Sequence, residues 1–237
     1  IAEQTEDPAK TKALVKRDIV RVITPGTFTP SAEGGQRENR FTAAMYFSGR
    51  KAGIALCDVS TGEFLARAFP GGEAEALMFL AAQAPLEVVS NEPERLKALY
   101  AGYQSSLRPE AFSKKRAWET LRAHFGVAAP EALGLAGKDD LIICPAGALL
   151  HYLNDTQKVA LRHITGLITL RGEEAMPLPL STRRSLELVE GLRGQGGKGT
   201  LLHELDHTRT AMGARLLRSW VERPLREIAA INGRLDC

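Results

Sequence analysis

His203-Glu204-Leu205-Asp206-His207 spells the His-Glu-x-x-His pattern of zinc hydrolases. On one continuous helix the two histidines would share a face one turn apart. Glu204 would then serve as general base, and Glu227 could supply a third ligand. A second candidate chemistry centres on Asp58, at the end of an apolar run, where a metal-dependent nuclease places a carboxylate. Two-metal catalysis needs several convergent carboxylates, and Glu63, Glu75 and Glu87 are those available. Each feature has a plainer reading. A chain break at Asp206-His207 would separate the histidines. Asp58 would start the Ser60-Thr61-Gly62 turn, because Asp side chains bond nearby backbone N–H groups.

Phosphate chemistry has weaker support. Lys12, Lys16, Arg17 and Arg21 cluster early, and Arg183, Arg184, Arg193 and Lys198 cluster late. Such residues can meet phosphates, but no aromatic residues interleave them for base stacking. Gly194-Gln195-Gly196-Gly197-Lys198-Gly199 lacks a preceding strand and a Lys-Ser/Thr pair, so it reads as an interhelix loop. No Gly-x-x-x-x-Gly-Lys-Ser/Thr phosphate loop occurs.

The 237 residues suffice for one large or two ordinary domains. An apolar fraction of 44% supports real cores, and a net charge of +3 argues against a densely basic nucleic-acid glove. Cys57, Cys144 and Cys237 are scattered and odd in number, which fits neither a disulfide framework nor a cysteine zinc site. The expected setting is a reducing cytoplasm, without a membrane span or signal segment. Ile1 reads as the tail of a strand and Ile228 to Leu235 as a helix cut short, so the expectation is a middle piece of a larger protein.

Two halves carry different hydrophobic periods. Ile19 to Thr24 is β-branched and stops at Thr24-Pro25-Gly26-Thr27, which suits a type II turn. Ser31 to Arg40 is a polar, Gly-rich loop. Phe41 to Phe47, Ala52 to Val59 and Glu63 to Phe69 are separated by hairpin-length gaps and predict an antiparallel meander. Helical spacing follows over Glu73 to Ala84, then a short strand, Leu86 to Ser90. A second helix is predicted over Glu92 to Tyr103, with Asn91 as N-cap. That order is the order of a ribonuclease-H-like fold. From Lys114 strand signals fade. Helices are predicted over Trp118 to Phe125 (capped by Gly126), Ala146 to Leu153, Ser181 to Leu192, Thr200 to Leu205 and Thr208 to Arg223, the last ended by Pro224. The change of period sets an α/β-to-all-α boundary near Arg108 to Lys115.

Leu205-Asp206-His207-Thr208-Arg209-Thr210-Ala211-Met212-Gly213-Ala214-Arg215-Leu216-Leu217-Arg218-Ser219-Trp220-Val221-Glu222-Arg223-Pro224-Leu225 resembles the core-domain signature of the MutS family of bacterial DNA mismatch-repair proteins. Val221 replaces a usual Leu. Further matches run in family order. Glu3 to Pro8 is similar to the end of the mismatch-binding domain, and Val15 to Thr27 to the opening of the connector. Cys57 to Phe64 is similar to the connector's central hairpin, and Ala146 to Gln157 to the first core helix. Thr182 to Leu188 resembles a Thr-x-Arg-Asn-Leu-Glu-Leu element, with Ser185 for Asn. Pro177-Leu178-Pro179 departs from the commoner Leu-Asp. The family's Phe-x-Glu mismatch-reading wedge is absent.

The resemblance implies three parts: residues 1–10 as the tail of the mismatch-binding domain, 11–112 as a ribonuclease-H-like connector, and 113–237 as the first part of a helical core, or lever, domain. It implies a structural, signal-transmitting role, with no catalytic, cofactor or metal residues in this stretch. The parent protein would be a DNA-dependent ATPase, binding ATP and Mg²⁺ in a domain absent here. It would act as a homodimer on mismatched double-stranded DNA and recruit MutL to the connector. The alternatives left standing are a nuclease using Asp58 and a zinc hydrolase using His203, Glu204 and His207.

Overall fold

A computed structural model describes residues 2–4, 17–19, 22–26, 39–135, 139–157, 161–170, 176, 178–192 and 198–236. The expected Ser31 to Arg40 loop and the Gly194 to Gly199 loop fall mostly outside the described residues, as does Pro177. In chain order the elements are β1 Ala2–Gln4, β2 Arg17–Ile19, β3 Phe41–Ser48, β4 Lys51–Asp58, β5 Glu63–Phe69, α1 Glu73–Gln83, β6 Glu87–Ser90, α2 Pro93–Leu99, α3 Lys114–Phe125, α4 Asp140–Gln157, β7 Ile168–Thr169, α5 Leu180–Ser185, α6 Leu201–Leu205, α7 Ala211–Glu222 and α8 Ile228–Leu235. The chain is mixed α/β with additional helices. None of the described helices is long and apolar enough to cross a membrane.

Two compact units form. One comprises Ile1–Thr29, Arg40–Leu77 and Ala84–Thr169; the other comprises Pro30–Asn39, Met78–Gln83 and Leu170–Cys237. In the first, β3, β4 and β5 make the expected meander, Phe41 pairing with Asp58 and Asp58 with Glu63. β6 joins β3 in parallel, giving the order β6-β3-β4-β5-β7.

The boundary expected near Arg108 to Lys115 is not where the compact unit ends. Helices α3 and α4 share one core with the sheet: Ala44, Cys57, Phe64, Leu121, Ile143 and Leu149 belong to a single buried cluster. β7 then pairs with the edge of β5, so strand pairing returns beyond Lys114. A change of hydrophobic period reports a change of element type and not a change of compact body. α4 is apolar almost all round, which marks a core helix.

Two close approaches fix α4 in that core. A Cβ on Gly53 of β4 would stand 1.7 Å from the carbonyl oxygen of Leu141. The usual intrahelical donor to that carbonyl would be residue 145, which is Pro145 and has no N–H. Pro145 and Gly53 together let the first turn of α4 lie against the strand backbone. Further along, a Cβ on Gly147 would stand 2.3 Å from the backbone of Ala117, so α3 and α4 cross at two small residues.

Three local expectations are corrected. Asn91 does not cap α2. Its side chain accepts the Phe47 N–H at 2.8 Å and donates to the Phe47 carbonyl at 3.0 Å, and Glu92 takes the N-cap position without a side-chain cap bond. α2 stops at Leu99 instead of Tyr103, because the chain turns extended at Tyr100 and pairs with β6. The Val88 N–H donates to Tyr103 and the Ser105 N–H to Val88. The helix expected over Ser181 to Leu192 ends at Ser185. Glu187 adopts a positive φ of 47°, and the Leu201 and Leu202 N–H groups donate to the carbonyls of Glu187 and Leu188.

Candidate functional site

Asp58 ends β4 with its side chain fully buried. Oδ1 accepts the Ser60 N–H at 2.8 Å and the Ser60 hydroxyl at 2.6 Å, and Oδ2 accepts the Arg40 N–H at 2.9 Å. Its carbonyl accepts the N–H groups of Thr61 and Gly62. The carboxylate is thus engaged in closing the hairpin and in holding the residue before β3. Glu75 pairs with Arg67 at 2.6 Å, and Glu87 is bound elsewhere. Among the described residues no group of three or more His, Cys, Asp or Glu is arranged to hold a metal ion.

The His203 to His207 run is broken as the plainer reading requires. Thr200 caps α6, accepting the His203 N–H at 3.2 Å. The helix ends at Leu205, so His207 lies outside it and shares no helical face with His203. Asp206 accepts both the N–H and the hydroxyl of Thr208, at 3.0 and 2.5 Å. Thr210 then caps α7 by accepting the Gly213 N–H at 3.1 Å. Asp206, Thr208, Thr210 and Gly213 together build a tight link between two helices, which gives physical content to the Asp-x-Thr-x-Thr-x-x-Gly part of the signature. α7 stops at Glu222, before Pro224.

Of the basic residues, Lys12, Lys16, Arg21, Arg193 and the Arg17 side chain lie outside the described residues. Arg183 is committed to backbone, donating from Nε to the Leu178 carbonyl at 3.1 Å. Burial pushes its guanidinium pKa down, against the pull of Glu222. Arg184 and Lys198 are exposed.

The most concentrated polar arrangement surrounds Glu87, which sequence reasoning named only as a spare carboxylate beside Asp58. Glu87, the first residue of β6, has no exposed surface. Oε1 accepts the Tyr152 hydroxyl of α4 at 2.5 Å and the Ser105 hydroxyl. Oε2 accepts the Thr24 hydroxyl at 2.5 Å and the Gly26 N–H at 3.2 Å. Three hydroxyls and one amide therefore satisfy a buried carboxylate, meeting the condition under which burying such a group is tolerable. A Cβ on Gly26 would stand 2.8 Å from Oε2 and 2.3 Å from the Thr42 hydroxyl, so the turn needs glycine to approach. Burial, and then the bond to Glu87, push the Tyr152 hydroxyl up to about 12. The Val22 N–H also donates to the Thr156 carbonyl at 2.8 Å, laying the same segment along α4. One side chain so ties together the Thr24-to-Gly26 turn, β6, the segment after α2, and α4. The available signal was an acidic residue inside the short run Leu86-Glu87-Val88-Val89.

Such an arrangement holds segments in place and offers no free nucleophile, base or ligand set. The family models described as MutS domain I, MutS domain II and MutS domain III match residues 1–32, 40–165 and 181–237. Two expectations shift: the domain I match reaches residue 32, so Val15 to Thr27 falls within it and not at the opening of the connector, and the domain II match runs through α3 and α4, so Ala146 to Gln157 falls within it and not within the core. The DNA mismatch repair protein MutS of Acetivibrio thermocellus is 40% identical over the whole of this chain and 28% of its own length. That of Symbiobacterium thermophilum is 39% identical over 99% of this chain and 28% of its own. That of Chlorobium phaeovibrioides is 35% identical over the whole chain and 28% of its own. The chain thus spans about 28% of the length of these relatives.

Proposed function

The chain belongs to the MutS family of DNA mismatch repair proteins, and from that premise we propose that it is the mechanical connector between the part that reads a mismatch and the part that uses ATP. The observation that carries this reading is the Glu87 node. The Thr24-to-Gly26 turn lies within the domain I match, whereas β6 and α4 lie within the domain II match. Glu87 bonds the first to the second. A displacement of that turn would reach α4 through short, buried hydrogen bonds and a close-packed core, the kind of contiguous rigid path along which coupling travels.

On this reading the unit around the β6-β3-β4-β5 order is a ribonuclease-H-like connector without nuclease activity, since Asp58 is spent on its hairpin. The helices from α5 onward begin a core, or lever, domain. The longer protein would bind mismatched double-stranded DNA as a homodimer, bind ATP and Mg²⁺ in a further domain, and recruit MutL through the connector. This stretch would contribute no catalytic group.

The test is a chimera in which this chain replaces the corresponding segment of the Acetivibrio thermocellus protein, expressed in a bacterial strain lacking its own mismatch repair protein. Restored suppression of spontaneous mutation is the expected result. A chimera that accumulates normally yet suppresses no better than an empty vector overturns the reading. Divalent-ion-dependent DNA cleavage by the isolated chain, lost on Asp58→Asn, would favour the nuclease alternative instead.

A further inference from the structure

Helix α3 presents an outward face that the connector role does not use. Lys115, Arg116, Glu119 and Arg122 are exposed there, while Ala117 and Leu121 point into the core. Among the described residues none of Lys115, Arg116 and Arg122 has an ion-pair partner, whereas the neighbouring Lys114 pairs with Asp140 at 2.6 Å. Two clefts flank this face. One, of about 370 Å³, is lined by Ala111, Arg116, Glu119, Thr120 and His151. The other, of about 440 Å³, is lined by Glu119, Arg122, Ala123 and Val127 among others. Glu119 is the shared wall, so the two clefts lie end to end along the helix. Each has a guanidinium at its side and small apolar groups in its lining.

We propose that this groove binds an acidic peptide segment of a partner protein. Six residues of helix separate Arg116 from Arg122, about 9 Å along the axis and about 120° around it, with Glu119 midway between them. A segment with two carboxylates roughly 10–15 Å apart, straddling Glu119, would meet both guanidiniums, each able to grip a carboxylate in bidentate fashion. Small apolar side chains between the carboxylates would enter the clefts against Ala111, Ala123 and Val127. Glu119 decides between a peptide and nucleic acid. A phosphate backbone carries unbroken negative charge and would set some of it against the Glu119 carboxylate. A peptide can place a hydroxyl or amide donor at that point. Attraction of this kind sets specificity and association rate more than affinity, so binding weakens as salt screens it.

The experiment uses the 237-residue chain and a fluorescently labelled ten-residue peptide, with glutamates at its fourth and eighth positions, about 13 Å apart when extended, serine at the sixth and alanines elsewhere. Anisotropy titrations are run at low and physiological salt. Saturable, salt-sensitive binding is expected, weakened about tenfold or more by the double reversal R116E/R122E. The matched control K97E/R108E, an equal change of charge on other exposed residues, should leave it unchanged. Circular dichroism of both variants checks that the fold is intact, and R116Q/R122Q serves if the reversal fails to fold. No binding, equal loss in both double variants, or equal binding of a peptide with glutamine for glutamate overturns the proposal. So does a matched duplex that binds more tightly than the peptide and displaces it, which would make the face a nucleic-acid surface.

Discussion

Tyr152 donates its hydroxyl to Glu87 at 2.5 Å, fixing the middle of α4 to the buried end of β6 across 65 positions of sequence. Both groups are inaccessible to water or nearly so, so the bond cannot be replaced by solvent when one partner is removed. Tyr152→Phe should cost about 1.5–3 kcal/mol, the range for a hydrogen bond to a charged group. Urea unfolding should show a lower midpoint with an unchanged slope.

The same bond predicts a loss of stability in alkali. The Tyr152 hydroxyl titrates near 12 in the folded protein, above its ordinary value of 10. Above pH 10 the unfolded chain gives up this proton while the folded chain keeps it, so the unfolded state binds fewer protons and stability falls as pH rises. The contribution is complete below pH 10 and disappears toward 12. The difference in urea midpoint between wild type and Tyr152→Phe should therefore shrink between pH 9.5 and 11.5. A constant difference would show that Tyr152 is not held in this way.

Gly53→Ala and Gly147→Ala should each be strongly destabilising, because the added methyl meets backbone and not a movable side chain. Overpacking commonly costs 1–3 kcal/mol and sometimes more, and about 3 kcal/mol or above is expected at Gly53, where the clash is with a carbonyl oxygen. Thermal unfolding of purified variants gives the answer. A melting temperature within a degree or two of wild type would mean that α4 does not lie on β4 as described.

Thr210→Ala should remove the cap of α7 at a cost of about 1 kcal/mol, while Thr210→Ser should retain most of it. Hydrogen exchange at Gly213 reads this locally: faster exchange in the alanine variant, near wild-type protection in the serine variant.

The parts of this molecule that were legible in its sequence are those fixed by neighbours in the chain. Ser60-Thr61-Gly62 had to be a turn, and Asp58 had to serve it. Pro224 had to end α7, and a break between helices was expected at Asp206-His207. What was not legible depends on partners far away in sequence. Asn91 has the right chemistry for a cap, and only the position of Phe47 in the neighbouring strand shows why it does something else. The helical period of α4 is plain, but its membership of the sheet's core rests on Gly53 and Ala117 lying where they do. Glu87 could be noticed as an acidic residue among apolar ones. Its meaning required four donors from three other segments.

In the proposed role Glu87 transmits the state of the mismatch-reading part to α4, and mismatch-stimulated ATP hydrolysis by the chimera with the Acetivibrio thermocellus protein measures that transmission. The unaltered chimera is predicted to hydrolyse ATP faster with mismatched than with matched duplex. The Glu87→Gln chimera, and more mildly the Tyr152→Phe chimera, is predicted to keep its basal turnover and its affinity for the mismatch while the stimulation falls severalfold. Full stimulation in the folded Glu87→Gln chimera, equal to that of the unaltered one, would contradict the claim.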